Sequence, residues 1–159
     1  MPSLFSPQTE TYLHQTRIPL RLACRSPSGW PVALSLWYHY EDGLLYCATR
    51  DSAKVVGYLN DDPRCAFEIA GDEPPYCGVR GQARATIDPT RGVEILEILL
   101  ERYLGGTESQ LAQGLLKFRE EEVAIVLDPV NAFTWDFTER MQDSLPQAGQ
   151  ESQRICPDA

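Results

Sequence analysis

Lysine and histidine are scarce in this 159-residue chain, with two of each: Lys54 and Lys117, His14 and His39. So few histidines leave little material for a histidine metal centre or an imidazole base. The HExxH, GxSxG, P-loop and EF-hand patterns are all missing, so hydrolytic and metal chemistry have no support. Positive charge is short overall: 14 Lys+Arg stand against 23 Asp+Glu, a net charge of −9. Nucleic acid and anionic membrane surfaces both demand clustered positive charge, so neither is expected as a partner. A local basic pocket for a small anion stays open. Apolar runs long enough for a membrane span are lacking. The first residues, MPSLFSPQTETYLHQ, have no basic stretch followed by an apolar one, so no secretion signal is expected. Cysteine pairs are missing too: Cys24, Cys47, Cys65, Cys77 and Cys156 contain no CxxC. An odd, scattered set reads as reduced thiols in a cytoplasmic protein. Four of the five fall in or beside expected strands, where a free thiol acts as a small buried hydrophobe.

Hydrophobic residues make up 43% of the chain, enough for a core without staples. The simplest division is one domain over residues 1–140 and a polar tail over 141–159, read as mobile or draped on a partner. Residues 7–16 suit a short helix. IPLRLACRS (18–26) has β character, and SPSGWP turns the chain into the aromatic strand PVALSLWYHY (31–40). Glu41-Asp42-Gly43 is a hairpin turn, and GLLYCAT (43–49) returns. Val55, Val56 and Leu59 then follow helical spacing, with Ser52 as the expected N-cap and Pro63 as the stop.

RCAFEIA (64–70) and CGVRGQARATI (77–87) read as strands, with Gly81 a bulge or a point of close approach. Two helices follow, over 88–104 with Asp88 as N-cap and over 107–122 with Thr107 and Gln110 as a capping box. Within the second, Glu120–Glu122 reads as solvated helix surface. EVAIVLDPV (122–130) and NAFTWDF (131–137) are the last two expected strands. About seven strands joined by short turns, with a few short helices, predict a mainly β, α+β fold: a small split antiparallel β-barrel.

The segment Pro31–Arg64 carries the clearest chemistry. A hairpin there runs into a helix N-terminus through Thr49, Arg50, Ser52 and Lys54. Backbone N–H groups at a helix start, two hydroxyls and two cations suit a phosphate. The plainer reading of the same residues is a capping serine beside solvated cations. Trp37, Tyr38, Tyr40, Tyr46 and Trp135 could stack on a flat ligand, although aromatic rings on strands are usually core or interface. His39 reads as an ordinary strand residue.

The order and spacing of these pieces resemble the pyridoxamine 5′-phosphate oxidase-like flavin-binding split barrels. The pieces are LAC with SPSGWP, PVALSLWYHYEDGLLYCAT, SAK, DDPRCAFEI, VRGQARATI and the terminal PVNAFTW, which together span about residues 15–137. The resemblance implies a homodimer with two FMN sites between the subunits, acting as an oxidoreductase on a small-molecule substrate. It implies that Leu34, Ser35, Leu36, Trp37 and Tyr38 run along the flavin ring, largely through backbone groups, with His39 following them. It further implies that Ser52 and Lys54, with Thr49 and Arg50, hold the phosphate, and that Trp135 closes the pocket. The oxidase itself carries an Arg at the position of Leu34 and a Lys at that of His39. It also has an Arg-x-His motif where this chain reads WDFTERM. A relative with a different substrate is therefore implied. Alternatives on the same fold are an F420-dependent reductase and a non-catalytic flavin- or haem-binding protein, for which His39 and His14 would be the first ligand candidates.

Overall fold

The computed structural model describes residues 3–144 and 155–159. Helix α1 (Pro7–Gln15) leads into β1 (Leu20–Arg25), β2 (Pro31–Leu36), β3 (His39–Glu41) and β4 (Leu44–Arg50). Next come α2 (Lys54–Asp61), β5 (Arg64–Ala70) and β6 (Cys77–Asp88). Helices α3 (Gly92–Leu104) and α4 (Gln110–Leu116) precede the long β7 (Glu122–Asp136). All seven strands form one antiparallel sheet in the order β2-β1-β5-β6-β7-β4-β3. The expected α+β class and strand number are met, and the sheet is not closed.

The split has a local cause. The expected single strand 31–40 breaks at Trp37–Tyr38. Its first part forms one edge of the sheet and its last part the other. Two consecutive aromatic side chains bury in different surroundings. Trp37 stacks flat on Tyr103 of α3, with centroids 5.0 Å apart and planes 6° from parallel. Tyr38 is 0% exposed in the main core, and its hydroxyl donates to the Leu13 carbonyl at 2.9 Å. The chain thus crosses between edges without pausing on the surface. At the hairpin, Asp42 and Gly43 both have positive φ (50° and 83°), the primed turn that a two-residue loop needs.

Several local expectations move. Ser52 does not cap α2: the Ala53 N–H bonds the Arg50 carbonyl at 3.0 Å, making Ala53 the cap residue while Ser52 stays exposed. The Ala53 methyl packs on the core, which a hydroxyl at that position could not do as cheaply. Helix α3 starts at Gly92 because β6 continues through Asp88, whose carboxylate takes the Thr90 N–H at 2.8 Å in a local turn. Ser109, not Thr107, caps α4 by accepting from the Ala112 N–H at 3.1 Å. The helix ends early, and a 3-10 turn (Arg119–Glu121) leads into β7. Glu122 is therefore the first strand residue and is buried, not solvated helix surface. Burial pushes its carboxyl above the usual range, against the opposing pull of Arg50.

The two last expected strands are one. Ala83 pairs with Pro129 and Gln82 with Asn131, so Val130 is an extra bulge residue. A proline is tolerated there because the ladder is already interrupted. Gly81 is a point of close approach: a Cβ would collide with the Asn131 carbonyl oxygen and come within 2.9 Å of the Phe67 ring.

The reading of all five cysteines as reduced thiols is overturned by a Cys77–Cys156 disulfide. Cys24, Cys47 and Cys65 are free and buried, as expected of small hydrophobes. The sequence hid the pair because 79 residues separate the two sulfurs. The last five residues pack against the start of the chain. Pro157 is buried, and the Asp158 carboxylate accepts from the Ser6 hydroxyl and, at 2.7 Å, from the Thr9 hydroxyl at the start of α1. The rest of the expected tail, residues 145–154, lies outside the described residues. Among the described residues, no helix is long and apolar enough to cross a membrane.

Candidate flavin-type site

The phosphate cluster forms a tight corner between β4 and α2. The Asp51 N–H reaches across to the Glu121 carbonyl at 2.8 Å, fixing the turn against the 3-10 segment before β7. Lys54 is the first residue of α2 and is exposed, as is Ser52, while Thr49 is half-buried on β4. Arg50 is exposed, and its guanidinium lies 4.2 Å from the centroid of the Phe118 ring. That aromatic rest steadies the cation beside the corner. One ammonium, one guanidinium and two hydroxyls thus lie within six residues at a helix start, donor types of the kind a phosphate takes.

The ring-lining stretch divides by side-chain direction. Leu34 and Leu36 pack on the core, while Ser35 is exposed. The Trp37 ring is taken by Tyr103, and the Tyr38 ring is sealed inside. A flat ligand along this stretch would therefore meet Ser35 and the backbone of an edge strand. Among the described residues β2 pairs only with β1, so its other edge has backbone groups without a strand partner there.

Trp135 stands apart from the phosphate corner. Thr49 pairs with Val123, twelve residues before Trp135 on the same strand (135 − 123). At about 3.3 Å per residue that is about 40 Å of strand at full extension, a path that the Val130 bulge and the strand's twist shorten. Within one chain the phosphate corner and Trp135 therefore belong to opposite ends of β7. Trp135 stacks on Phe133 with centroids 6.3 Å apart, and the Arg80 guanidinium lies over both rings at 5.4 and 5.1 Å.

Beside this trio is a groove of about 650 Å³ that the sequence reading missed. Its floor is the row Ala33, Ala23 and Ala66, register neighbours on β2, β1 and β5. The adjoining row runs Ser35, Arg21, Glu68, Arg80, Phe133 across five strands. On the other side, Arg25 and Arg64 share the Asp62 carboxylate at 3.1 and 2.8 Å. Gln82 and Asn131 exchange hydrogen bonds at the bulge, at 2.9 and 2.7 Å. The signal was present as alternation: Arg80, Gln82 and Arg84 occupy every second position of β6. It was legible only once the strand order was known.

No family model matches the sequence, and no match was found among curated proteins. Solved structures do match. A conserved hypothetical protein, Rv2991, from Mycobacterium tuberculosis aligns with a TM-score of 0.71 at 21% identity, covering 94% of each chain. An F420 reductase aligns at 0.64 and 19% identity, over 77% of this chain and 94% of its own. A candidate pyridoxamine 5′-phosphate oxidase from Listeria innocua aligns at 0.61 and 15% identity, over 81% of this chain and 98% of its own. The fold is thus the split barrel of the pyridoxamine 5′-phosphate oxidase-like proteins, as the sequence resemblance implied.

Proposed function

We propose that this chain is a homodimeric flavoprotein that binds FMN between two copies and acts as an oxidoreductase on a small molecule. The observation that carries the reading is the separation along β7. One chain holds a phosphate-type corner at one end and an exposed aromatic cluster at the other, and a second copy can bring the two together. The groove face beside Trp135 is the surface we assign to that copy. Its alanine floor allows close approach, and its alternating Arg21, Glu68 and Arg80 offer charges that a twofold mate can meet with opposite sign.

In this reading Lys54 neutralises the phosphate, with Ser52, Thr49 and Arg50 completing its shell. The free backbone edge of β2 and the Ser35 hydroxyl orient the ring, and Trp135 from the second copy excludes water. Bound FMN would supply the hydride or electron transfer. The oxidase's cations at the positions of Leu34 and His39 are not carried by this chain, nor is its Arg-x-His motif, so pyridoxamine phosphate is not the assigned substrate.

The test is a visible spectrum after reconstitution with FMN, together with quenching of FMN fluorescence. Saturable quenching is expected, weakened about tenfold or more in Lys54→Ala. An unchanged affinity in that variant would remove the phosphate role. The likeness to an F420 reductase favours a second reading, deazaflavin in the same place. Parallel titrations with FMN and F420 separate the two, and a Soret band would assign haem instead.

A further inference from the structure

Both histidines of the chain meet in one place, away from the corner at Lys54. A cleft of about 560 Å³ is lined by His14 of α1, Arg17, His39 of β3, and Glu101 and Arg102 of α3. It shares no lining residue with the phosphate corner or the groove. Two guanidiniums and two imidazoles face a single carboxylate there, in a chain whose net charge is −9.

Arg102 is a fixed charge. Its Nη1 donates to the His14 carbonyl at 2.6 Å, and its Nη2 to the Leu13 carbonyl at 2.9 Å and to the Thr16 carbonyl. The guanidinium thus closes the C-terminal end of α1. Its Nε–H is buried and has no partner among the described residues. A buried donor left unpaired is costly.

The groups around His39 are mixed in sign. Burial holds its imidazole below the ordinary range; Glu41 opposes this, while Arg102, His14 and Arg91 reinforce it. Glu94 also senses His39, the Tyr46 ring lies 6.3 Å away, and Glu101 lines the cleft. An anion entering the cleft would offset the burial and favour the imidazolium.

We propose that this cleft binds a small oxyanion, the carboxylate or phosphate group of a small molecule, between Arg17, Arg102 and the two imidazoles. Its size suits such a ligand. Binding draws a proton onto His39, so affinity rises as pH falls toward the imidazole range. The proposal does not rest on the flavin reading, and its test contains no flavin.

Two histidines give two imidazole Cε1 proton signals, each followed by NMR against pH and assigned with His14→Gln and His39→Gln. The probe is inorganic phosphate, with a sodium chloride control at equal ionic strength. Saturable movement of both signals is expected, with the His39 midpoint raised by roughly half a pH unit or more. Arg17→Gln should weaken binding about threefold or more, and Lys54→Ala should leave it unchanged. Acetate in place of phosphate reads the carboxylate arm, and saturation by either anion supports the proposal. It is overturned if neither anion moves the signals beyond the chloride control, if Arg17→Gln binds as tightly as the parent, or if the response vanishes in Lys54→Ala.

Discussion

Strand β7 passes through two different environments, and the contrast explains much of the molecule. From Glu122 to Leu127 nearly every residue is buried. Val123, Ile125 and Leu127 face the main core, while Ala124 and Val126 lie under Ile95 and Leu99 of α3. From Asp128 to Asp136 no residue is fully buried, and Phe133 is 56% exposed. One half of the sheet has its outer face covered by helices. The other half carries arginines, alanines and exposed rings with no layer of this chain above them among the described residues. The covered half supplies stability, and the open half is the one we assign to a second copy.

The sharpest break in that contrast comes from the covered side. Leu99→Ala should lower the unfolding free energy by about 2–5 kcal/mol, read by urea denaturation, because it opens a cavity between α3 and β7. If it costs no more than a surface change, the helix layer is not what holds this half. On the open side, Ala66→Arg places a large cation on the groove floor among existing arginines. It should weaken the dimer at least about tenfold, about 1.4 kcal/mol, in sedimentation velocity while the monomer keeps its thermal stability. A variant as dimeric as the parent would place the interface elsewhere.

Phe133→Ser should act in the same direction and more weakly, since the ring sits at the rim beside Arg80. The smallest effect concerns pH. The depressed His39 means that the unfolded chain takes up a proton more readily than the folded one. Stability should therefore fall as pH drops below about 6.5 and level off below the folded value. His39→Gln should remove that part of the acid-side loss, measured as the change in melting temperature between neutral and mildly acidic buffer.

The fold was legible because its signals are local. The Asp42-Gly43 turn, the alternation of RCAFEIA and the apolar spacing of α2 each announce their element. What misled were positions decided by distant neighbours. Ser52 has the chemistry of a cap, but the core claims Ala53 instead. Pro129 looks like a strand end, but the bulge opposite Ala83 absorbs it. Of the candidate site, the corner from Thr49 to Lys54 is contiguous in sequence and was readable as one unit. The distance from it to Trp135 was not, because that depends on β7 being one strand rather than two. The groove and the histidine cleft were invisible for the same reason: their residues come from three or more elements each.

The Cys77–Cys156 bond has a consequence for how the chain responds to cutting. It closes a covalent ring that contains β6, α3, α4 and β7, leaving β1 to β5 outside. The surface link between α3 and α4, around Gly105, Gly106 and Glu108, lies within that ring and is open to a protease. A single nick there yields one piece with Cys77 and another with Cys156, still bonded to each other. Such a protein runs as one band on a denaturing gel without reductant and as two with it.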